Sequence, residues 1–239
     1  MSWPPFAEIT FLMSRRVAYV ARFALLTFLL MAPPGAASAQ LVGSGSGANC
    51  FPFGCSLGTG TVYQQVFAAS NFSGKMAIRG LNFFREYDGE LRTGTFEFYL
   101  STTTAAVDGL SNAYDSNRGA NNMLWGTFAL DGGAPGTLSF VGTPFFYDPA
   151  VGNLLLDIRV IGGWGGSSLF RANNGDAGGM FSRAHDFGAG TSGYGLQTEF
   201  VTSNRGIDPL IAVVPEPATN ALVAIGLIAM AVVGSRRRS

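Results

Sequence analysis

The sequence predicts an all-β domain, an antiparallel β-sandwich or jelly roll, set between an N-terminal signal helix and a C-terminal single transmembrane helix. Three observations predict it. Short runs alternate apolar and polar residues with a period of two, as a half-buried strand requires. Clusters of turn residues separate these runs: Asp131-Gly132-Gly133, Gly162-Gly163 and Asn173-Asn174-Gly175-Asp176. Each end of the chain carries instead a long apolar stretch with arginines beside it.

The first element is a targeting segment. Arg15, Arg16 and Arg22 precede or punctuate an apolar run from Val17 to Met31, which Pro33, Pro34 and Gly35 break. Ala37-Ser38-Ala39 then places small residues where a signal peptidase reads them, so residues 1–39 are a secretory signal peptide. Cleavage is expected after Ala39, with Ala37, Ala39 and Gln40 framing the site. Met13 is an alternative start, because Met-Ser-Arg-Arg is an ordinary beginning for such a peptide. A retained anchor is the alternative reading, although the apolar run is short for a membrane span.

Residues 40–60, rich in Gly and Ser, are expected to be a flexible segment. They hold the only two cysteines, Cys50 and Cys55, with Pro52 and Gly54 between them. In an oxidising compartment this pair can close a small loop; two unpaired thiols are the alternative. So short a loop stabilises little through chain entropy. The single histidine, His185, and the lack of a second cysteine pair argue against zinc, and no metal site is expected.

Residues 61–213 are the expected sandwich. The exported part, residues 40–213, holds nine Lys/Arg and thirteen Asp/Glu, a net charge of −4. A mildly acidic domain is a poor partner for nucleic acid, which favours a basic face. Two strands are clearest. Phe96, Phe98 and Leu100 face one way and Thr95, Glu97 and Tyr99 the other; likewise Leu154, Leu156, Ile158 and Val160 oppose Leu155, Asp157 and Arg159. Weaker runs lie near 62–69, 76–84, 123–130, 137–141, 178–184, 194–202 and 207–213. Phe145-Phe146-Tyr147 reads as a strand end, Asp148-Pro149 as a turn start, and Gly152-Asn153 as its close before the next strand.

The last element, residues 214–239, is a tripartite tail. Val214-Pro215-Glu216-Pro217 is extended, because each proline fixes φ and removes a donor. Residues 218–234 follow as an apolar helix at the short limit for a span. Arg236, Arg237 and Arg238 then hold the cytoplasmic side, which places the preceding domain outside. A buried C-terminal helix is the alternative, but an apolar run without a polar stripe suits lipid better.

The Pro-Glu-Pro, helix and arginine cluster in this order resemble the PEP-CTERM sorting signal, also known as the ice-binding-protein C-terminal domain type. The resemblance covers residues 214–238. It implies an exosortase substrate, anchored in the inner membrane by the helix and then passed to the cell envelope or the exterior. Leu100-Ser-Thr-Thr-Thr, Val107-Asp-Gly-Leu-Ser and the stretch from Thr143 to Asp157 resemble an uncharacterised β-domain found upstream of such signals, over roughly 76–202. That second resemblance implies fold and location only.

Chemistry is harder to find. Gly43-Ser44-Gly45-Ser46-Gly47 has the letters of a nucleophile elbow without its strand–turn–helix setting. His185 has no serine partner in view and reads as a loop or strand-edge residue beside Asp186. Glu86, Asp88 and Glu90 are the one candidate carboxylate group for a glycoside hydrolase, yet Asp88-Gly89 reads as a solvated hairpin tip. Asp115–Asn122 and Asn173–Gly179 offer oxygens that suit Ca²⁺, but without the spacing of an EF-hand loop. Ordinary turn roles are the simpler reading, and no other cofactor is expected. Trp125 and Trp164 are the candidates for stacking on sugar rings, Trp164 the more exposed between Gly163 and Gly165. Thr102-Thr103-Thr104 is one run rather than the ladder an ice-binding face needs. The sequence therefore predicts a non-enzymatic envelope or matrix protein, with an exopolysaccharide-binding lectin-like module as the alternative and a glycoside hydrolase as the weaker one.

Overall fold

The computed structural model describes residues 37–55, 60–175, 178–185 and 188–203. The signal run to Ala36, Asp186, the strand expected at 207–213 and the whole tail from Val214 to Arg238 lie outside the described residues. All described residues belong to one unit, Ala37–Leu210. Among them no helix is long and apolar enough to cross a membrane; the span expected at 218–234 lies outside them.

The described strands are β1 (Ala37–Val42), β2 (Gly47–Asn49), β3 (Val62–Phe67), β4 (Met76–Tyr87), β5 (Thr93–Thr103), β6 (Met123–Leu130) and β7 (Thr137–Tyr147). They continue with β8 (Asn153–Trp164), β9 (Leu169–Asn174), β10 (Phe181–His185), β11 (Gly188–Ser192), β12 (Tyr194–Leu196) and β13 (Thr198–Ser203). They form two antiparallel sheets, as the alternation predicts. One runs β1-β13-β4-β9-β12, with β2 added at β9 and β7 at β4; the other runs β11-β10-β3-β8-β5-β6.

The core lies between the sheets. Leu154, Leu156, Ile158 and Val160 of β8 and Phe96, Phe98 and Leu100 of β5 all enter it, fully or almost fully buried. Asp148–Gly152 turns where expected: the Lys75 ammonium pairs with Asp148 at 2.8 Å and Tyr147 Oη donates to the Gly152 carbonyl. That ammonium holds the Asp148 carboxyl below its ordinary value, and burial pushes the Tyr147 hydroxyl up.

Two expectations are corrected here. Residues 40–55 are not a flexible lead-in. Val42 and Phe53 are core residues, and the Phe53 ring lies 4.9–6.1 Å from those of Phe83, Phe96, Phe98, Phe140 and Phe170. The glycines and serines conceal this, since one large apolar side chain anchors a short polar stretch without any periodicity. Ser44 is also fixed: its N–H donates to Asn173 Oδ1 at 3.0 Å. Second, Asp88-Gly89 is not a hairpin tip. β4 and β5 lie in different sheets, so 88–92 crosses between them. The crossing pairs with the 131–134 turn, where Leu91 N donates to Gly132 O at 2.7 Å and Ala134 N to Gly89 O at 2.9 Å. Which sheet the next strand joins is decided by its apolar face.

Candidate functional site

The side of the six-stranded sheet turned away from the core is where polar chemistry gathers. Along β8 the outward residues are Leu155, Asp157, Arg159 and Ile161, opposite Ser101, Tyr99, Glu97 and Thr95 of β5. Residues 104–122 fold across the first half of this face. Leu110 packs with Val66 and Leu155 in a small second cluster, and Gln64 Nε2 donates to the Tyr114 carbonyl at 3.0 Å. Asn117, almost fully buried, donates to Gln64 Oε1 at 2.7 Å and accepts from Ser111 N at 2.8 Å. The cover ends partway. Leu155 and Asp157 are 0% exposed, the Arg159 side chain 33%, Ile161 52% and Trp164 80%.

At the boundary stands a charge cluster. Asp157 Oδ2 accepts from Arg118 Nε and lies 2.7 Å from Nη2. Arg118 also pairs with Asp115 at 3.0 Å, and Arg159 with Asp115 at 2.9 Å. Both guanidinium carbons sit against the Tyr99 ring, at 5.5 and 5.8 Å from its centroid. Tyr99 Oη donates to Glu97 Oε2 at 2.8 Å, and this bond to the carboxylate holds the phenol pKa above its usual value. Burial pushes the Asp157 carboxyl up, against the opposing pull of Arg118. Beyond the cluster opens a groove of about 360 Å³ lined by Gly60, Val62, Glu97, Arg159, Ile161 and Gly162. Such a volume lies at the low end for small-molecule sites.

Trp164 stands at the far end of this row. Thr95 pairs with Ile161 but Thr93 pairs with Trp164, so β8 carries one extra residue there. That bulge aims Trp164 outward again instead of into the core. Gly163 makes it possible: its φ is +121°, and a Cβ would sit 2.2 Å from the Thr93 carbonyl oxygen.

The other candidates fall elsewhere. Trp125 cannot stack on a sugar, which corrects that expectation. It is 1% exposed, its Nε1 donates to the Ile78 carbonyl at 3.3 Å, and its ring fills space that a Cβ on Gly142 would occupy. It occupies a core position of β6, and nothing in its neighbours' sequence distinguishes that from a surface one. Cys50 and Cys55 form a disulfide with Cα atoms 5.0 Å apart. Ala37, Ala39 and Gln40 lie in β1, paired with Ser203, Val201 and Phe200 of β13. His185 ends β10 and stacks on Phe51 with ring centroids 4.6 Å apart. Glu86, Asp88 and Glu90 are all exposed; Glu86 pairs with Arg171 and Asp88 with Arg85.

In the two loops read for Ca²⁺, several of the described oxygens are used internally, and Asp176 lies outside the described residues. Asp115 is held by both arginines, Asn121 Oδ1 accepts from Thr102 N, and Asn173 is tied to Ser44. Among the described residues no group of three or more His, Cys, Asp or Glu could hold a metal ion. Thr102 and Thr103 are consecutive in β5 and point to opposite faces, so they make no row. Asp157, Arg159, Glu97 and Tyr99 were visible in the sequence only as outward positions of two strands, and Arg118 only as a residue of the Asp115–Asn122 loop. Their convergence depends on the β5–β8 register and on the 104–122 cover, which leave no local trace.

The fold defines a class: an antiparallel β-sandwich with a partly covered polar groove on the outer side of one sheet. Residues 213–238 match the PEP-CTERM protein-sorting motif. The chain is thus an exported protein carrying a membrane-directed sorting signal for exosortase. No curated protein and no solved structure matches it.

Proposed function

We propose that this is a non-enzymatic protein of the cell envelope or extracellular matrix. It is released from its signal peptide by signal peptidase, held in the inner membrane by residues 218–234, and passed on by exosortase. The sorting motif at 213–238 carries this reading. The sandwich supports the absence of catalysis in one respect. Of the carboxylates that a hydrolase would converge, Glu86 and Asp88 are surface groups in separate ion pairs and Glu90 is exposed, while the buried Asp157 is engaged by Arg118. Deleting residues 213–239 tests the route. Fractionation is expected to show the truncated protein lost from the envelope and found free in the periplasm or medium; an unchanged distribution overturns the reading.

A further inference from the structure

We propose that the open half of the outer face, from Arg159 to Trp164 with Glu97 and Tyr99 beside them, binds an uncharged polysaccharide chain. This deepens the envelope-protein reading by naming what the surface holds, and in that sense rests on it.

Three independent features converge. The first is Trp164. An indole left 80% exposed forgoes the burial that usually stabilises so large an apolar side chain. Here the exposure is built in, by an extra residue in β8 and by a glycine that no other residue could replace without striking the Thr93 carbonyl. A bulge that turns a side chain outward is how strands present a residue to a ligand. The second is the groove of about 360 Å³ along the same row, with Ile161 and Gly162 on its wall. Measured along the partners Glu97, Thr95 and Thr93 of β5, the row from Arg159 to Trp164 spans about 13 Å, two steps of two residues at roughly 3.3 Å per residue. That is room for a short run of sugar rings rather than for one ion.

The third is the state of the polar wall. Glu97 is fixed by Tyr99, Tyr99 is flanked by two guanidiniums, and Arg159 is tied to Asp115. A wall held in place loses little entropy when a ligand docks. Its charges nearly cancel: Arg118 and Arg159 face Glu97, Asp115 and Asp157, a sum of −1. Such a wall neither attracts a polyanion nor cages a cation, yet it offers both donors and acceptors. A pyranose supplies the complement, with hydroxyls for the guanidinium and carboxylate and an apolar C–H face for the indole. A peptide strand is disfavoured because the site lies on a sheet face, where backbone pairing is already complete.

The test uses the purified full chain with a soluble β-1,3-glucan, a β-1,4-glucan and a mannan as neutral probes, and alginate as an anionic one. Titration calorimetry is read beside acrylamide quenching of tryptophan. At least one neutral glycan is expected to bind and to shield Trp164 from acrylamide. Trp164→Ala should weaken that binding at least tenfold and abolish the shielding, Trp164→Phe should retain part of it, and Glu97→Gln should weaken it severalfold. Trp164 lies outside the core, so circular dichroism of Trp164→Ala should match wild type. The proposal is overturned by no binding of any neutral glycan, by binding to alginate alone, or by Trp164→Ala binding as well as the parent. Fractionation of cells expressing Trp164→Ala should be normal, so loss of glycan binding and loss of sorting are separately visible.

Discussion

Replacing Arg118 by Met is the sharpest probe of how the outer face is held. Asp157 is fully buried; its Oδ2 accepts from Arg118 at 2.7 Å, and Arg159 Nε makes only a longer ion pair at 3.7 Å. Met keeps a long apolar side chain and removes the cation, with its contact to the Tyr99 ring. A carboxylate left under the 104–122 segment with only the longer Arg159 pair then costs about 3–5 kcal/mol, the usual penalty for removing one partner of a buried pair. With a urea m-value of about 2 kcal/mol/M for a domain of this size, the midpoint falls by roughly 2 M. The pH dependence separates this from simple loss of packing. Burial already raises the Asp157 pKa above 3.8, and losing the guanidinium raises it further. A raised folded-state pKa means that the folded protein holds the proton more tightly than the unfolded chain. The deficit is therefore complete above the raised value and disappears as pH falls below about 3.8, where the carboxyl is protonated in both states. Urea titrations of both proteins at several pH values measure it. A loss below about 1 kcal/mol, or one that does not shrink in acid, refutes the reasoning. Arg118→Met with Asp157→Leu is expected to recover most of the stability, because an apolar pair replaces an ionic one.

The two described tryptophans should behave oppositely. Trp125→Ala opens a cavity against Phe98 and Gly142 and should cost about 3–5 kcal/mol, lowering Tm by roughly 10 °C in calorimetry. Trp164→Ala should leave Tm within about 1–2 °C of wild type, as a surface change within 0.5 kcal/mol does. Replacing Cys50 and Cys55 together by Ser should lower the unfolding free energy by about 2 kcal/mol, the chain-entropy value for so short a loop. A larger loss would show that the loop's main task is to hold Phe53 among its five ring neighbours.

The strands that sequence alone reveals are those whose alternation meets a one-sided core. β5, β6 and β8 lie within three or four residues of their expected bounds at each end, because Phe96, Phe98, Leu154 and Ile158 mark a single buried face. β1, β2, β9 and β11 escaped notice. β2 has three residues and β11 is Gly-Ala-Gly-Thr-Ser, too short or too small to display a period. Asn173 and Asn174 were counted as turn residues but end β9, where their side chains tie down Ser44 and Ala48 from more than 120 positions away. The candidate site was legible at Trp164, whose flanking glycines announce exposure, and illegible at Trp125, whose run Met123–Leu130 lacks a clear alternation to mark the face that β7 closes. The Asp157–Arg118 pair could not be foreseen, since it joins a strand to a loop 39 residues earlier.

The pairing of β1 with β13 bears on the order of events during export. Gln40, Leu41 and Val42, the part of β1 kept after cleavage following Ala39, pair with Phe200, Glu199 and Thr198, so the first described strand closes on the last. Until β13 has emerged, β1 and one edge of β4 have nothing to pair with, and closure over such a separation is slow compared with hairpin formation. Ser203 precedes the first residue of the sorting motif by only ten positions. The strand that completes the sandwich and the segment that exosortase recognises therefore leave the translocation channel together. A chain truncated before Thr198 would lose the last described strand along with its sorting motif.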